Sequence, residues 1–126
     1  MSEFRYTKDH EWTRLEGDVV VCGISHYAQE ALGDVVYVEL PSVRQTVRQG
    51  EQTAIVESSK AASEVYAPVT GEIMVVNDAL SSNPSWVNEA PTGKGWMFKI
   101  KPADPAQFGA LMDEATYLNY TKGRNE

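Results

Sequence analysis

The side chains able to do chemistry are few in this sequence, and one stands apart by its setting. Lys60 lies in Ile55-Val56-Glu57-Ser58-Ser59-Lys60-Ala61-Ala62-Ser63-Glu64-Val65-Tyr66, where apolar strand-like residues stop before the lysine and resume after it. That pattern predicts a hairpin with Lys60 at its turn and its amine in water. An exposed lysine amine is protonated near neutral pH and is a weak nucleophile unless burial or a cationic neighbour lowers its pKa. Here the neighbours are Glu57 and Glu64, which favour the ammonium form and argue against Schiff-base chemistry. By residue type alone, Lys60 is a solvated turn lysine.

The other candidates do not converge. The two histidines sit in Asp9-His10-Glu11-Trp12 and Ser25-His26-Tyr27, and neither lies at ligand spacing to the other or to the single cysteine, Cys22. Both read as solvated or hydrogen-bonded structural histidines. Cys22 falls inside the apolar run Val19-Val20-Val21-Cys22 and reads as core packing, with no partner for an intramolecular disulfide. There is no G-x-G-x-x-G, no phosphate loop and no G-x-S-x-G elbow. A hydrolase using Ser58 or Ser59 with His26 lacks a visible orienting acid and oxyanion loop. No catalytic residue and no metal ligand is therefore assigned.

The elements that must position Lys60 are short strands. With 126 residues and 42% hydrophobic content, the chain is sized for one core. The expected organisation is a single domain over 1–126, with a core at about 18–102, an N-terminal strand segment at 1–17 and C-terminal helices at 103–126. Valine-rich strands are expected at 18–24 and 34–40. Between them runs a short helix that Ser25 caps and Gly33 ends in a left-handed conformation. Further strands are expected at 52–58, 63–67 and 72–77, with Pro68 and Gly71 marking a hairpin turn, then an ordered loop over 78–95 and a strand at 96–101. Antiparallel strands joined by turns favour a small β-sandwich or barrel over a parallel sheet. Asp104-Pro105 predicts a helix start, and Phe108, Leu111 and Met112 recur at helical spacing beyond it.

Charge narrows the partners. Eleven basic against eighteen acidic residues give a formal net charge of −7, which disfavours nucleic acid and anionic membrane surfaces and suits basic partner surfaces. The apolar runs are far shorter than the roughly 20 residues of a membrane span. The N-terminal MSEFRYTKDHEW lacks the pattern of a signal or transit peptide, so a cytoplasmic location is expected.

The segment VESSKAASEVYAPVTGEIMVVNDAL, Val56 to Leu80, resembles the lipoyl-lysine hairpin of the glycine cleavage system H proteins. The resemblance extends in the same order through YTKDHEW at Tyr6–Trp12, the run from Gly23 to Pro41, GKGWMFKIKP at Gly93–Pro102 and LMD at Leu111–Asp113. It implies a mainly β fold, a lipoyl-domain-like flattened barrel or sandwich of two antiparallel sheets, with a short internal helix and a helical C-terminal tail. It further implies that lipoate is joined to Lys60 as an amide by a lipoate-attaching enzyme, removing the charge and adding a flexible arm. By the same resemblance the arm carries the aminomethyl group of glycine from a pyridoxal-phosphate glycine decarboxylase to a tetrahydrofolate-dependent aminomethyltransferase, and dihydrolipoyl dehydrogenase reoxidises it. The protein would then be a carrier without catalysis of its own, expected as a monomer.

The resemblance also implies that Glu57 aids recognition by the attaching enzyme, and that Glu64 and Glu11 line a cleft or guide docking. Tyr6 and Trp12 read as packing for the N-terminal strand. The sequence departs from the family's pattern at Arg44, where a glycine is common, at Ser59, where a valine usually precedes the lysine, and at Thr92, where tyrosine is usual. Two related readings share the hairpin logic. A 2-oxoacid dehydrogenase lipoyl domain lacks the N-terminal and C-terminal extensions, and a biotin carrier would flank the lysine with methionines where Ser59 and Ala61 stand. An H-like protein that serves as a lipoyl donor or a bare interaction module also fits these residues.

Overall fold

Short valine-rich segments cut by glycine and proline cannot bury both faces alone, so they pair into sheets that stack. The computed structural model describes residues 4–124; residues 1–3 and 125–126 of the expected 1–126 span lie outside the described residues. Its strands are β1 (Phe4–Tyr6), β2 (Glu11–Glu16), β3 (Val19–Ile24), β4 (Val35–Glu39), β5 (Thr46–Val47), β6 (Gln52–Ser58), β7 (Ala62–Tyr66), β8 (Gly71–Val76), β9 (Phe98–Pro102) and β10 (Met112–Asp113). They form a seven-stranded sheet, ordered β10-β1-β2-β3-β9-β8-β5, and a three-stranded sheet, β4-β6-β7. Every pairing is antiparallel. The flattened two-sheet architecture expected from the sequence is the one observed.

Between the sheets lies a core that includes Val20, Cys22 and Ile24 of β3, Val38 of β4, Val56 of β6, Val65 of β7, Ile73 of β8, and Phe98 and Ile100 of β9. Cys22 is fully buried here, as expected. The apolar run of β3 does not alternate because both of its faces are covered. Val21 points away from this core into a second cluster with Tyr6, Trp12 and Tyr117. Tyr6 and Trp12 thus pack the N-terminal strands, and Trp12 also donates its indole N–H to the Pro91 carbonyl at 2.7 Å.

Four α-helices occur among the described residues: α1 (His26–Leu32), α2 (Trp86–Glu89), α3 (Pro105–Gly109) and α4 (Glu114–Arg124). With seven residues, α1 is too short to stand without tertiary support. The Ser25 hydroxyl caps it by accepting the Ala28 N–H, Leu32 is buried in the core, and Gly33 ends it at φ +87° and ψ −161°. Gly33 therefore has a positive φ in a region open mainly to glycine, though not in the left-handed helical well expected. Asp104 caps α3 with Pro105 in its first turn, as its sequence predicts.

Three expectations need correction. The segment between β7 and β8 is no hairpin turn: Ala67 to Thr70 carries the chain from the small sheet to the large one, with Ala67 and Val69 buried on the way. The polar stretch 78–95 contains a 3-10 turn, Asp78–Ser81, as well as α2. The helical stripe Phe108, Leu111, Met112 is interrupted, because Met112–Asp113 forms β10 and pairs with Arg5 and Tyr6 of β1. That pairing satisfies the amides of an otherwise open sheet edge, a gain that local helical spacing cannot reveal.

Candidate functional site

The β6–β7 hairpin projects past the core. Val56 and Val65 are buried, whereas residues 57 and 59–64 are all exposed and Ser58 is half-buried. The turn is closed at Ser58, whose N–H donates to the Ala61 carbonyl at 2.8 Å. Lys60 thus sits at the tip, where the sequence places it, and among the described residues its ammonium has no hydrogen-bond or ion-pair partner. Its stem passes over Gly33, since a Cβ placed on that glycine would come within 3.2 Å of Lys60 Cε.

The ground beneath that stem is held by a residue for which the sequence gives no functional signal. Asn88, in α2, accepts the Val35 N–H at 2.8 Å and donates to the Gly33 carbonyl and to Gln29 Oε1, each at 2.9 Å. One amide side chain so ties the end of α1 to the start of β4.

Two clefts open beside the hairpin and share Asp9, His10, Ala62 and Ser63. One, of about 350 Å³, runs along α1 and is floored by Tyr27, Ala28, Ala31, Leu32 and Ala61. The other, of about 510 Å³, is polar and adds Lys8, Glu64, Tyr66 and Tyr120. Apolar walls therefore lead from the hairpin tip into a space flanked by the carboxylates of Asp9 and Glu64. The Tyr66 hydroxyl donates to Glu64 Oε1 at 2.9 Å, and this neighbouring carboxylate holds the phenol above its ordinary pKa.

Glu57 is exposed on β6. Glu11 differs from expectation: it is 2% exposed. Its carboxylate accepts the Thr7 hydroxyl at 2.6 Å and the Tyr66 N–H at 3.0 Å. Burial pushes its pKa up to about 7 against the lowering effect of those two hydrogen bonds, with the Asp9 charge adding to the rise. Glu11 joins the two sheets from within; it offers partners no surface.

His10 is structural, as its spacing suggests. It takes φ +71°, stacks on Tyr27 at a centroid distance of 4.5 Å and sets Nδ1 2.8 Å from the Tyr117 hydroxyl. His26 is exposed, with Nδ1 3.0 Å from Gln29 Nε2 and Nε2 3.9 Å from Glu30. Ser58 spends its hydroxyl on the turn, and among the described residues no hydrogen bond joins Ser58 or Ser59 to His26, whose ring faces Gln29 and Glu30. Among the described residues no group of three His, Cys, Asp or Glu side chains could hold a metal ion. No helix among them is long and apolar enough to cross a membrane.

The comparisons with known proteins agree on one family. The family model described as "Glycine cleavage H-protein" matches residues 4–124. The chain is 55% identical over 120 residues to the glycine cleavage system H protein of Xanthobacter autotrophicus, covering 95% of this chain and 96% of that one. It is 54% identical over 121 residues to the namesake from Bradyrhizobium diazoefficiens, covering 96% and 99% of the two chains. Among solved structures, the glycine cleavage system H protein from Mycobacterium marinum superposes with a TM-score of 0.85 at 36% identity over 98% of each chain. With its two-sheet sandwich, its projecting lysine hairpin and this likeness along nearly its whole length, the chain belongs to the glycine cleavage H-protein family.

Proposed function

We propose that this protein is the lipoyl carrier of a glycine cleavage system, built as a single carrier domain, with Lys60 the attachment site. The observation that carries this reading is the setting of Lys60: an exposed, unpaired amine at the tip of a hairpin that reaches past the core. The residues present suit an amide-linked arm. Acylation consumes the ammonium charge, and here no salt bridge is lost when it does.

A lipoyl group joined to Lys60 supplies a disulfide that can be opened, loaded and closed again. The chain's own part is to present and shelter. The hairpin keeps the lysine clear of the body so that enzyme clefts can admit it. Ala28, Ala31, Leu32 and Ala61 offer apolar walls that would exclude water from the methylenes of such an arm. Asp9 and Glu64 flank the adjoining space with negative charge, which suits a cationic amine. On this reading the protein is a non-catalytic cytoplasmic carrier. Its partners are glycine decarboxylase, the aminomethyltransferase, dihydrolipoyl dehydrogenase and the lipoate-attaching enzyme, each docked in turn on a monomer. Tethering raises the effective concentration of the carried group at each partner, and the net charge of −7 favours transient, salt-sensitive docking.

The test is intact mass with peptide mapping after expression in a lipoate-supplied host with its attaching enzyme. A lipoyl-sized increment on Lys60, absent in Lys60→Arg, is expected. Glycine exchange that survives Lys60→Ala in the reconstituted system would sink the reading.

A further inference from the structure

The apex of the β6–β7 hairpin is made without the usual turn residues. A two-residue hairpin loop matches the strand twist when its central residues take positive φ, and Asn-Gly or Asp-Gly supply this at little cost. Here the central pair is Ser59-Lys60, and neither has positive φ; the non-glycine residues that do are His10 and Arg44 among the described residues. A turn of negative φ tends to splay its strands.

Ser58 offsets that tendency with its side chain. Its Oγ accepts the N–H of Lys60 at 3.2 Å and the N–H of Ala61 at 3.1 Å, and donates to the Ala61 carbonyl at 3.2 Å. One donor and two acceptor positions exhaust what a hydroxyl offers. The side chain stands in for a backbone carbonyl as the clasp of the turn, a role open to serine, asparagine and aspartate at the first turn position. One of the amides it holds belongs to Lys60 itself.

We infer that Ser58 is a positioning residue for acylation of Lys60: its hydroxyl fixes the apex, so that the attaching enzyme meets the lysine in a preformed turn. The inference rests on the reading of Lys60 as the attachment site. Since residues 59–64 are exposed, loosening this turn leaves the core intact. It lowers the fraction of molecules whose lysine is correctly presented, and the apparent affinity falls by that fraction while the chemical step is unchanged.

The experiment compares wild type, Ser58→Ala and Ser58→Asn, full-length and unmodified. Lipoylation is followed by intact mass with purified lipoate-attaching enzyme, ATP and lipoate, and amide hydrogen exchange is measured at Lys60 and Ala61. Ser58→Ala is expected to raise KM about tenfold with kcat within about twofold, if the clasp sets the competent fraction. Its two tip amides should exchange faster, and Ser58→Asn should return both readouts close to wild type. An unchanged KM in Ser58→Ala overturns the inference. So does a raised KM that Ser58→Asn fails to restore although its amides are protected, since the enzyme would then be reading the hydroxyl directly. Wild-type protein that takes no lipoate would instead overturn the reading of Lys60 and this inference with it.

Discussion

Glu11 and Tyr66 join the two sheets directly, the buried carboxylate of one accepting the backbone N–H of the other at 3.0 Å. Tyr66 ends β7, the strand that descends from Lys60, so the hairpin is anchored through this bond to the N-terminal strands. Anchoring by a buried carboxylate makes stability depend on pH. Below an ordinary glutamate pKa of 4.5, folded and unfolded chains both hold the proton. Between 4.5 and about 7 the folded chain keeps a proton that the unfolded chain has released, so stability falls as pH rises. Above that range the loss is complete, and a rise of this size corresponds to about 3 kcal/mol at most. Glu11→Gln removes the titration while keeping an acceptor for Tyr66. Urea unfolding from pH 4.5 to 8 should show wild type losing about 2 to 3 kcal/mol more than Glu11→Gln. Parallel stability curves would refute this.

Gly33 carries two demands at once: φ +87° in its own backbone and room for the Lys60 stem, whose Cε would lie 3.2 Å from an added Cβ. Gly33→Ala should therefore destabilise the protein by about 1 to 2 kcal/mol through backbone strain. It should also displace the lysine stem, read as a shift of the Lys60 side-chain carbon resonances. A variant as stable as wild type, with those resonances unmoved, would contradict both.

Arg44 has φ +77°, the conformation that favours glycine, at the position where the family's pattern commonly has one. The departure noted in the sequence is thus a strained backbone position in the turn before β5. Arg44→Gly exchanges the strain of a side chain at positive φ for the extra chain entropy that glycine loses on folding, a net gain of about 0.5 to 1 kcal/mol. A melting temperature raised by about 2 to 4 °C is expected; a lowered one would show that the Arg44 side chain makes contacts worth more than the strain.

What was legible in the sequence was local. Ser25 before α1, Asp104 before α3 and the run from Gln52 to Ser58 carry their signals within a few residues, and the structure follows them. What was hidden depends on partners far along the chain. Leu111 to Asp113 looks helical until β1 arrives to pair with it. Glu11 looks like a surface carboxylate until the Tyr66 amide, 55 residues later, makes its burial tolerable. Lys60 was located by resemblance, because exposure and acidic neighbours alone describe an ordinary turn lysine. Ser58 was readable in principle: a serine opening a turn whose central residues are not glycine or asparagine is a candidate clasp.

Tyr117 connects three segments through one hydroxyl, which lies 2.7 Å from Ser25 Oγ, the cap of α1, and 2.8 Å from His10 Nδ1, while its ring stacks on Tyr6 at 4.2 Å. Removing the hydroxyl leaves both polar partners short of a bond in a largely buried place, so Tyr117→Phe should cost about 1 to 3 kcal/mol at pH 7. Burial pushes the Tyr117 pKa up to about 12, although the Ser25 hydrogen bond opposes the shift. Above pH 10 the unfolded chain releases this proton and the folded chain does not, so wild type loses stability with rising pH until about 12. Phenylalanine has no proton to lose. The deficit of Tyr117→Phe should accordingly shrink between pH 10 and 11.5 in denaturant titrations, and a deficit that stays constant over that interval would show that the hydroxyl ionises as readily in the folded protein as in the unfolded chain.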